Sequence, residues 1–165
     1  MEKDYSKFVG YYIQNIARVF THRHNTMLEQ IGLTYSQFRI LASLWRKEGQ
    51  TQNDMVCELM IKPATLTGLL CTLERKGYLE RKKSTEDGRI KFVFLTEKGR
   101  SLETVSYDII HVLDQQIAQG VPDACKKKII NCLSNLYNYS SKLELPELPE
   151  SARYLSKQNP PRKTK

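Results

Sequence analysis

A mainly α-helical domain with one small β-hairpin is the fold class this sequence predicts, and three observations predict it. Leu66, Leu69, Leu70 and Leu73 recur at the i, i+3, i+4, i+7 spacing of one helix face, bracketed by Pro63 and Gly77. Two strand-like runs, residues 78–83 and 90–95, flank the turn dipeptide Asp87-Gly88. Long segments with helical apolar stripes stand on either side of this stretch. The order helix, turn, helix, strand, tight turn, strand, helix is that of a winged helix-turn-helix, with the hairpin as its wing.

In chain order, residues 3–31 read as one long helix. Phe8, Val9, Tyr12, Ile16, Val19, Phe20, Met27 and Leu28 form its apolar stripe, Gly10 weakens its first turns and Gly32 ends it. At 1.5 Å per residue it would be roughly 40 Å long, more than a small domain needs. Thr34-Tyr35-Ser36-Gln37 is a capping box for a second helix, which carries Phe38, Leu41, Leu44 and Trp45 on one face and closes at Gly49. Thr51 caps a third, short helix with Asp54 three residues on; Met55, Val56 and Leu59 face inward. Residues 60–62 turn the chain.

The fourth helix begins at Pro63, which suits the first helical position because its missing N–H is not needed there. Opposite the leucines lie Ala64, Gly68, Cys71 and Arg75, flanked by Thr65, Thr67 and Thr72. These side chains are mostly small or hydroxylated, so this helix can press into a groove. Lys62, Thr65, Thr67 and Thr72 are the first candidates for nucleic-acid contact, with Gly68 and Arg75 beside them. In the hairpin, Arg81, Lys82, Lys83, Arg89 and Lys91 cluster around the tip, and such an edge attracts phosphates. Both hairpin faces are apolar enough that the register stays open. Thr96 then caps a helix reaching about Gln119, striped by Leu102, Val105, Ile109, Val112, Leu113 and Ile117. After Gly120 and Pro122 a last helix runs to about Lys142, with Cys125, Ile129, Ile130, Leu133, Leu136 and Tyr137.

Three pieces of this stretch resemble the MarR family of bacterial transcription regulators. They are Leu73-Glu74-Arg75-Lys76-Gly77-Tyr78-Leu79-Glu80-Arg81, Glu86-Asp87-Gly88-Arg89 and Leu95-Thr96-Glu97-Lys98-Gly99. The resemblance, which extends by architecture to about residue 143, implies a DNA-binding regulator with the fourth helix in the major groove. It also implies that Arg89 at the wing tip is held by Asp87. The family often has an arginine at the position of Gly68, so a direct guanine contact is not expected there. Phosphate contacts and groove shape should then carry an unusual share of the binding. Leu33-Thr34-Tyr35 also resembles the peroxide-sensing branch, which uses a reactive cysteine in the first helix; here that helix has none. Members respond to small phenolic or amphipathic compounds. Tyr11, Tyr12, Phe20, His24, Tyr35 and Trp45 are the residues expected to line such a site, the alternative being that these aromatics fill the core.

These readings place one domain at residues 1–143, with a winged core near 34–99 and dimerisation helices near 3–31 and 97–143. The outer stripes are broad enough to be buried in a second copy, and the resemblance implies a two-fold homodimer. A monomeric lobe folding back on the core is the alternative. Residues 144–165, with four prolines and a basic end, read as a disordered tail.

Composition narrows the function. The 165 residues carry a net charge of +8, and residues 62–100 hold ten Lys/Arg against five Asp/Glu, a local excess of +5. No secretory signal or long apolar run appears, so a cytoplasmic protein with no membrane partner is expected. Four cysteines are then expected to be reduced, with Cys125 and Cys132 buried. Cys71 stands on the groove-facing side, and a thiol-responsive regulator is one alternative reading. His22 and His24 point to different helix faces, and no metal-ligand spacing, phosphate loop or catalytic set is present. No cofactor and no enzymatic activity are expected. A winged helix used only for protein contacts is the other alternative, and the basic wing argues against it.

Overall fold

The computed structural model describes residues 4–85, 90–144, 147 and 149. The chain divides into two compact units, Met1–Gln119 and Gly120–Lys165.

The first unit opens with a 3-10 turn, Tyr5–Lys7, and then helix α1, Val9–Leu28. The single helix expected from residue 3 is therefore broken at Phe8, whose backbone is extended (φ −97°, ψ 132°). The physical cause lies in Asp4. Its carboxylate accepts hydrogen bonds from the Ser6 amide (3.1 Å) and hydroxyl (2.6 Å), closing a local turn that competes with helix. At the other end Gly32 takes φ 72° and the Leu33 amide donates back to the Leu28 carbonyl at 3.0 Å. Only His24 and Leu28 of α1 are buried.

Helix α2, Tyr35–Arg46, starts on the expected capping box: Thr34 Oγ1 accepts from the Gln37 amide and Gln37 Oε1 accepts from the Thr34 amide, both at 3.2 Å. Strand β1, Gln50–Thr51, leads into α3, Gln52–Leu59, capped reciprocally by Thr51 and Asp54. Met60 then adopts φ 52°, the left-handed region that side chains rarely enter, and the chain bends by 113° into α4, Pro63–Arg75. That bend falls within the range of a helix-turn-helix. Strands β2, Leu79–Lys83, and β3, Lys91–Leu95, form the hairpin.

The sheet has three strands in the order β1-β3-β2, all antiparallel. Strand β1 is an addition to the expected hairpin. Two residues give no alternation to read, yet Gln50 pairs with Val93 and Thr51 with Phe92. The buried Gln50 amide is satisfied by the Ser43 carbonyl and hydroxyl and the Lys47 carbonyl, at 2.8–3.1 Å. The register left open by the sequence sets Leu79 opposite Leu95, Arg81 opposite Val93 and Lys83 opposite Lys91. Val93 and Leu95 point into the core, while Phe92 and Phe94 are half-buried.

Around that inner face Leu28, Leu33, Ile40, Leu41, Leu44, Met55, Leu66, Leu70, Leu73 and Leu79 complete one core. Each fully buried aliphatic side chain contributes about 1.5–3 kcal/mol relative to exposure. Past β3, Thr96 caps a short helix α5, Glu97–Arg100, and after a turn α6 runs from Glu103 to Ala118. The one helix expected from 96 to 119 is thus interrupted, and its inward face is Ser106, Ile109, Ile110 and Leu113 rather than Val105 and Val112, which are exposed. Gly99 sits where an added Cβ would lie 2.0 Å from the Tyr78 carbonyl oxygen, so only glycine fits. Its own carbonyl accepts the Trp45 indole N–H at 3.1 Å.

The second unit contains α7, Asp123–Ser140, in which no residue is buried. Ile129, Ile130, Leu133, Leu136 and Tyr137 are all exposed. Cys125 and Cys132, expected as buried thiols, are exposed as well, and all four cysteines are free. The expected disordered tail lies almost wholly outside the described residues.

Candidate nucleic-acid interface

Helix α4 buries Leu66, Leu70 and Leu73, and this fixes what it shows to solvent. Ala64, Thr65, Thr67, Gly68, Cys71 and Arg75 are exposed, Lys62 is exposed at the N-cap, and Thr72 is half-buried. Thr67 Oγ1 donates to the Pro63 carbonyl and Thr72 Oγ1 to the Gly68 carbonyl, each at 2.9 Å. Lys76, just past the helix, donates to the Gly32 carbonyl (2.6 Å) and to Gln37 Oε1 (3.1 Å), tying the end of α4 to the start of α2.

The hairpin carries its basic residues in two different ways. Lys83 and Lys91 are exposed and directly opposed, and neither has an ion-pair partner among the described residues. Arg81, grouped with them from the sequence, is instead turned inward against α4. Its Nε donates to Glu74 Oε2 at 3.1 Å, a terminal nitrogen contacts the same oxygen, and the other interaction of that nitrogen is with Cys71 Sγ at 3.6 Å. With its side chain 20 % exposed, Arg81 braces the wing against the helix. The hydrogen bond from Arg81 holds the Glu74 carboxyl below its ordinary value, and Glu74 in turn raises the guanidinium. Lys82 pairs with Glu80 at 2.8 Å and lies over the Phe94 ring at 5.2 Å. The tip residues Asp87 and Arg89 lie outside the described residues.

The six residues expected to line a ligand crevice separate into two groups. Phe20, His24, Tyr35 and Trp45 fall in one row of rings, linked through Phe38, with successive centroids 4.8–6.0 Å apart. Phe38 was missed as a member because it reads as an ordinary core residue of α2. Tyr11 and Tyr12 stand apart, edge to face at 5.3 Å and exposed. Within the row, His24 is 5 % exposed and stacks on Tyr35 at 4.8 Å. Neither of its ring nitrogens makes a hydrogen bond of normal geometry. Burial lowers its pKa, opposed by the Phe20 backbone and the Asp114 carboxylate.

Two cavities of the first unit are lined by described residues alone, and of the six only Trp45 lines either of these two. The larger, about 830 Å³ between α1 and α6, is walled by Arg18, His22, Arg23, Val19, Met27 and Leu113. The smaller, about 230 Å³, lies among Phe38, Trp45, Arg46, Glu103 and Tyr107. Spacing along α1 signals the Arg18–His22–Thr26 face as polar, and nothing in the sequence shows that α6 encloses it.

Comparison with known proteins agrees with this geometry. The family model described as "MarR family" matches residues 33–91. The organic hydroperoxide resistance transcriptional regulator of Bacillus subtilis (strain 168) is 34% identical over 93 residues, covering 56% of this chain and 63% of that relative. The match thus spans less than two thirds of that relative's length. A MarR transcriptional regulator from Methanosarcina mazei Go1 superposes with a TM-score of 0.78 at 27% identity, over 84% of this chain and 99% of that one. The S. aureus MepR–DNA complex gives a TM-score of 0.72 at 26% identity, over 84% of this chain and 99% of the other.

Proposed function

We propose that this chain, which belongs to the MarR family, is a cytoplasmic, sequence-specific double-stranded DNA-binding regulator of transcription. The observation that carries the reading is the exposed face of α4 beside a hairpin that opposes Lys83 and Lys91, neither of them in a salt bridge among the described residues. The local charge excess and the likeness to a protein solved on DNA support it. Phosphates bound by Lys62, Arg75, Lys83 and Lys91 would set the register of α4 in the major groove, with Arg89 reaching the minor groove.

The regulator works as a homodimer, with both described units serving one functional domain. Phe8, Val9, Tyr12, Ile16 and Val19 expose a continuous apolar side of α1, and α7 exposes another. Faces of that kind are covered in a stable protein. Two copies of α4 would then lie about 34 Å apart, one turn of DNA, over a pseudo-palindromic operator. Repression relieved by a small ligand is the outcome we assign. The cavity walled by Arg18, His22 and Arg23 with Val19, Met27 and Leu113 suits an amphipathic anion such as an aromatic carboxylate better than a neutral phenol. Hydroperoxide sensing through a first-helix cysteine does not transfer, because α1 contains none.

Titration of the protein with random-sequence duplex and with duplex enriched from a random pool, at several salt concentrations, tests the reading. Specific binding is expected to be tighter than random-sequence binding, and both are expected to weaken steeply with salt. A protein that enriches no sequence, or whose affinity ignores salt, is not this regulator.

A further inference from the structure

The chemistry by which α4 reads bases rests on the DNA-binding reading and goes beyond it. A threonine hydroxyl has one proton. Thr67 and Thr72 have committed theirs to the Pro63 and Gly68 carbonyls. Each therefore offers an approaching base an oxygen lone pair and a methyl group, and no donor. Guanine presents only acceptors, N7 and O6, on its major-groove edge and is read by donors, most often a bidentate arginine. The middle turns of α4 hold no arginine, lysine or side-chain amide: Lys62 is the N-cap and Arg75 the last residue. Thr65 has a single hydroxyl and cannot make a bidentate contact. An A·T pair suits this surface at both ends. Adenine N6 donates to a threonine oxygen, as cytosine N4 also does, but a G·C pair sets guanine N7 and O6 against these acceptors and lacks the thymine methyl, which packs on Ala64 or a threonine methyl.

Gly68 is an independent observation. It sits exposed in mid-helix, where glycine is a poorer helix former than alanine. An added Cβ there would meet nothing within 4 Å, and its φ is not in the left-handed region. Nothing within the fold calls for a bare backbone at this position. A close approach by something outside the chain does, and in the DNA-binding reading that is the floor of the major groove.

We propose that α4 selects A·T over G·C at the base pairs beneath Gly68, by packing on the thymine methyl and by setting threonine acceptors against guanine's acceptor edge, at short range because residue 68 has no side chain. Gly68, Thr67 and Thr72 are its specificity-determining residues.

The test uses the full-length protein and the duplex it enriches from a random pool. The enriched sequence should place A·T pairs under α4. Resynthesis with deoxyuridine for thymidine at those positions removes only the methyl and should lower affinity about fourfold per site. Replacing guanine by 7-deazaguanine should leave affinity unchanged. Gly68→Ala should melt at or above the wild-type temperature yet bind the enriched duplex about tenfold more weakly, and Gly68→Arg should move the preference toward guanine. Enrichment of guanines under α4 whose 7-deaza replacement abolishes binding would overturn the proposal and leave the DNA-binding reading standing. So would a Gly68→Ala protein that binds like wild type. Failure to enrich any sequence would overturn both.

Discussion

Lys83 lies directly opposite Lys91 at the turn end of the hairpin, so the wing sets two like charges side by side where the β2–β3 ladder ends. Like charges in that position cost a free protein about 0.2–1 kcal/mol. A bound phosphate turns the same arrangement into a favourable one. Lys83→Ala and Lys91→Ala are each expected to leave stability unchanged or slightly raised. Each should also reduce the slope of log affinity against log salt by about 0.9. Thermal melts and salt titrations of the two variants check both halves, and an unchanged slope removes the hairpin from the interface.

Arg81 behaves differently because Glu74 already neutralises it. Arg81→Ala should alter the salt slope less than Lys83→Ala, and a double-mutant cycle with Glu74→Ala should return a coupling of about 0.2–1 kcal/mol, since the pair is partly solvated. Glu74 is an acid whose folded pKa lies below its unfolded one. The unfolded chain takes up the proton first as pH falls. The contribution of this pair is therefore full above the ordinary glutamate value, about 4.3, and is lost as pH drops through the lowered folded value. Urea melts from pH 6 to pH 3 should show a shallower acid loss in Glu74→Gln.

His24 follows the same sign for a different reason. It is a base whose folded pKa is lowered, chiefly by burial. Below its unfolded value near 6.5 the unfolded chain binds a proton that the folded chain resists, so stability falls as pH drops from about 6.5 to the lowered value and is steady above it. His24→Phe keeps a ring against Tyr35 and should flatten that segment of the stability profile. An equal slope in wild type and variant between pH 7 and pH 5 would exclude His24 as its source.

Gly99→Ala should be destabilising by about 1–3 kcal/mol or more, since its Cβ would be driven into the Tyr78 carbonyl. Gly10→Ala, which meets nothing within 4 Å, is the matched control and should be neutral or mildly stabilising. Comparing their melting temperatures distinguishes close packing from general helix propensity.

Local signals carried much of the architecture. The capping residues Thr34, Thr51 and Thr96, Pro63 at the start of α4 and the leucine stripe are each readable within a few residues, and each stands where its spacing predicts. What escaped depends on partners distant in sequence. Strand β1 exists because Gln50 meets Val93. The register is decided by which β3 residues the core accepts. Arg81 looked like a wing cation because nothing nearby in sequence announces that the hairpin returns it to Glu74. The break at Phe8 had a local cause, the Asp4 turn, whose signal was outweighed by the longer apolar pattern. Four of the aromatic candidates, Phe20, His24, Tyr35 and Trp45, lie in one row of rings on α1 and α2, but the α1–α6 cavity depends on packing between helices about ninety residues apart, and no periodicity reports that.

The Trp45 indole that donates to the Gly99 carbonyl is also the chain's single tryptophan. Every photon of indole emission therefore comes from one half-buried ring at the seam where α2 meets the turn leaving the wing. Tightening or loosening of that seam alters the indole's polarity and its hydrogen bond together, moving the emission maximum without any attached dye. The protein thus carries an intrinsic optical gauge, and stopped-flow fluorescence on the unmodified chain can time a rearrangement at the seam separately from the encounter with DNA.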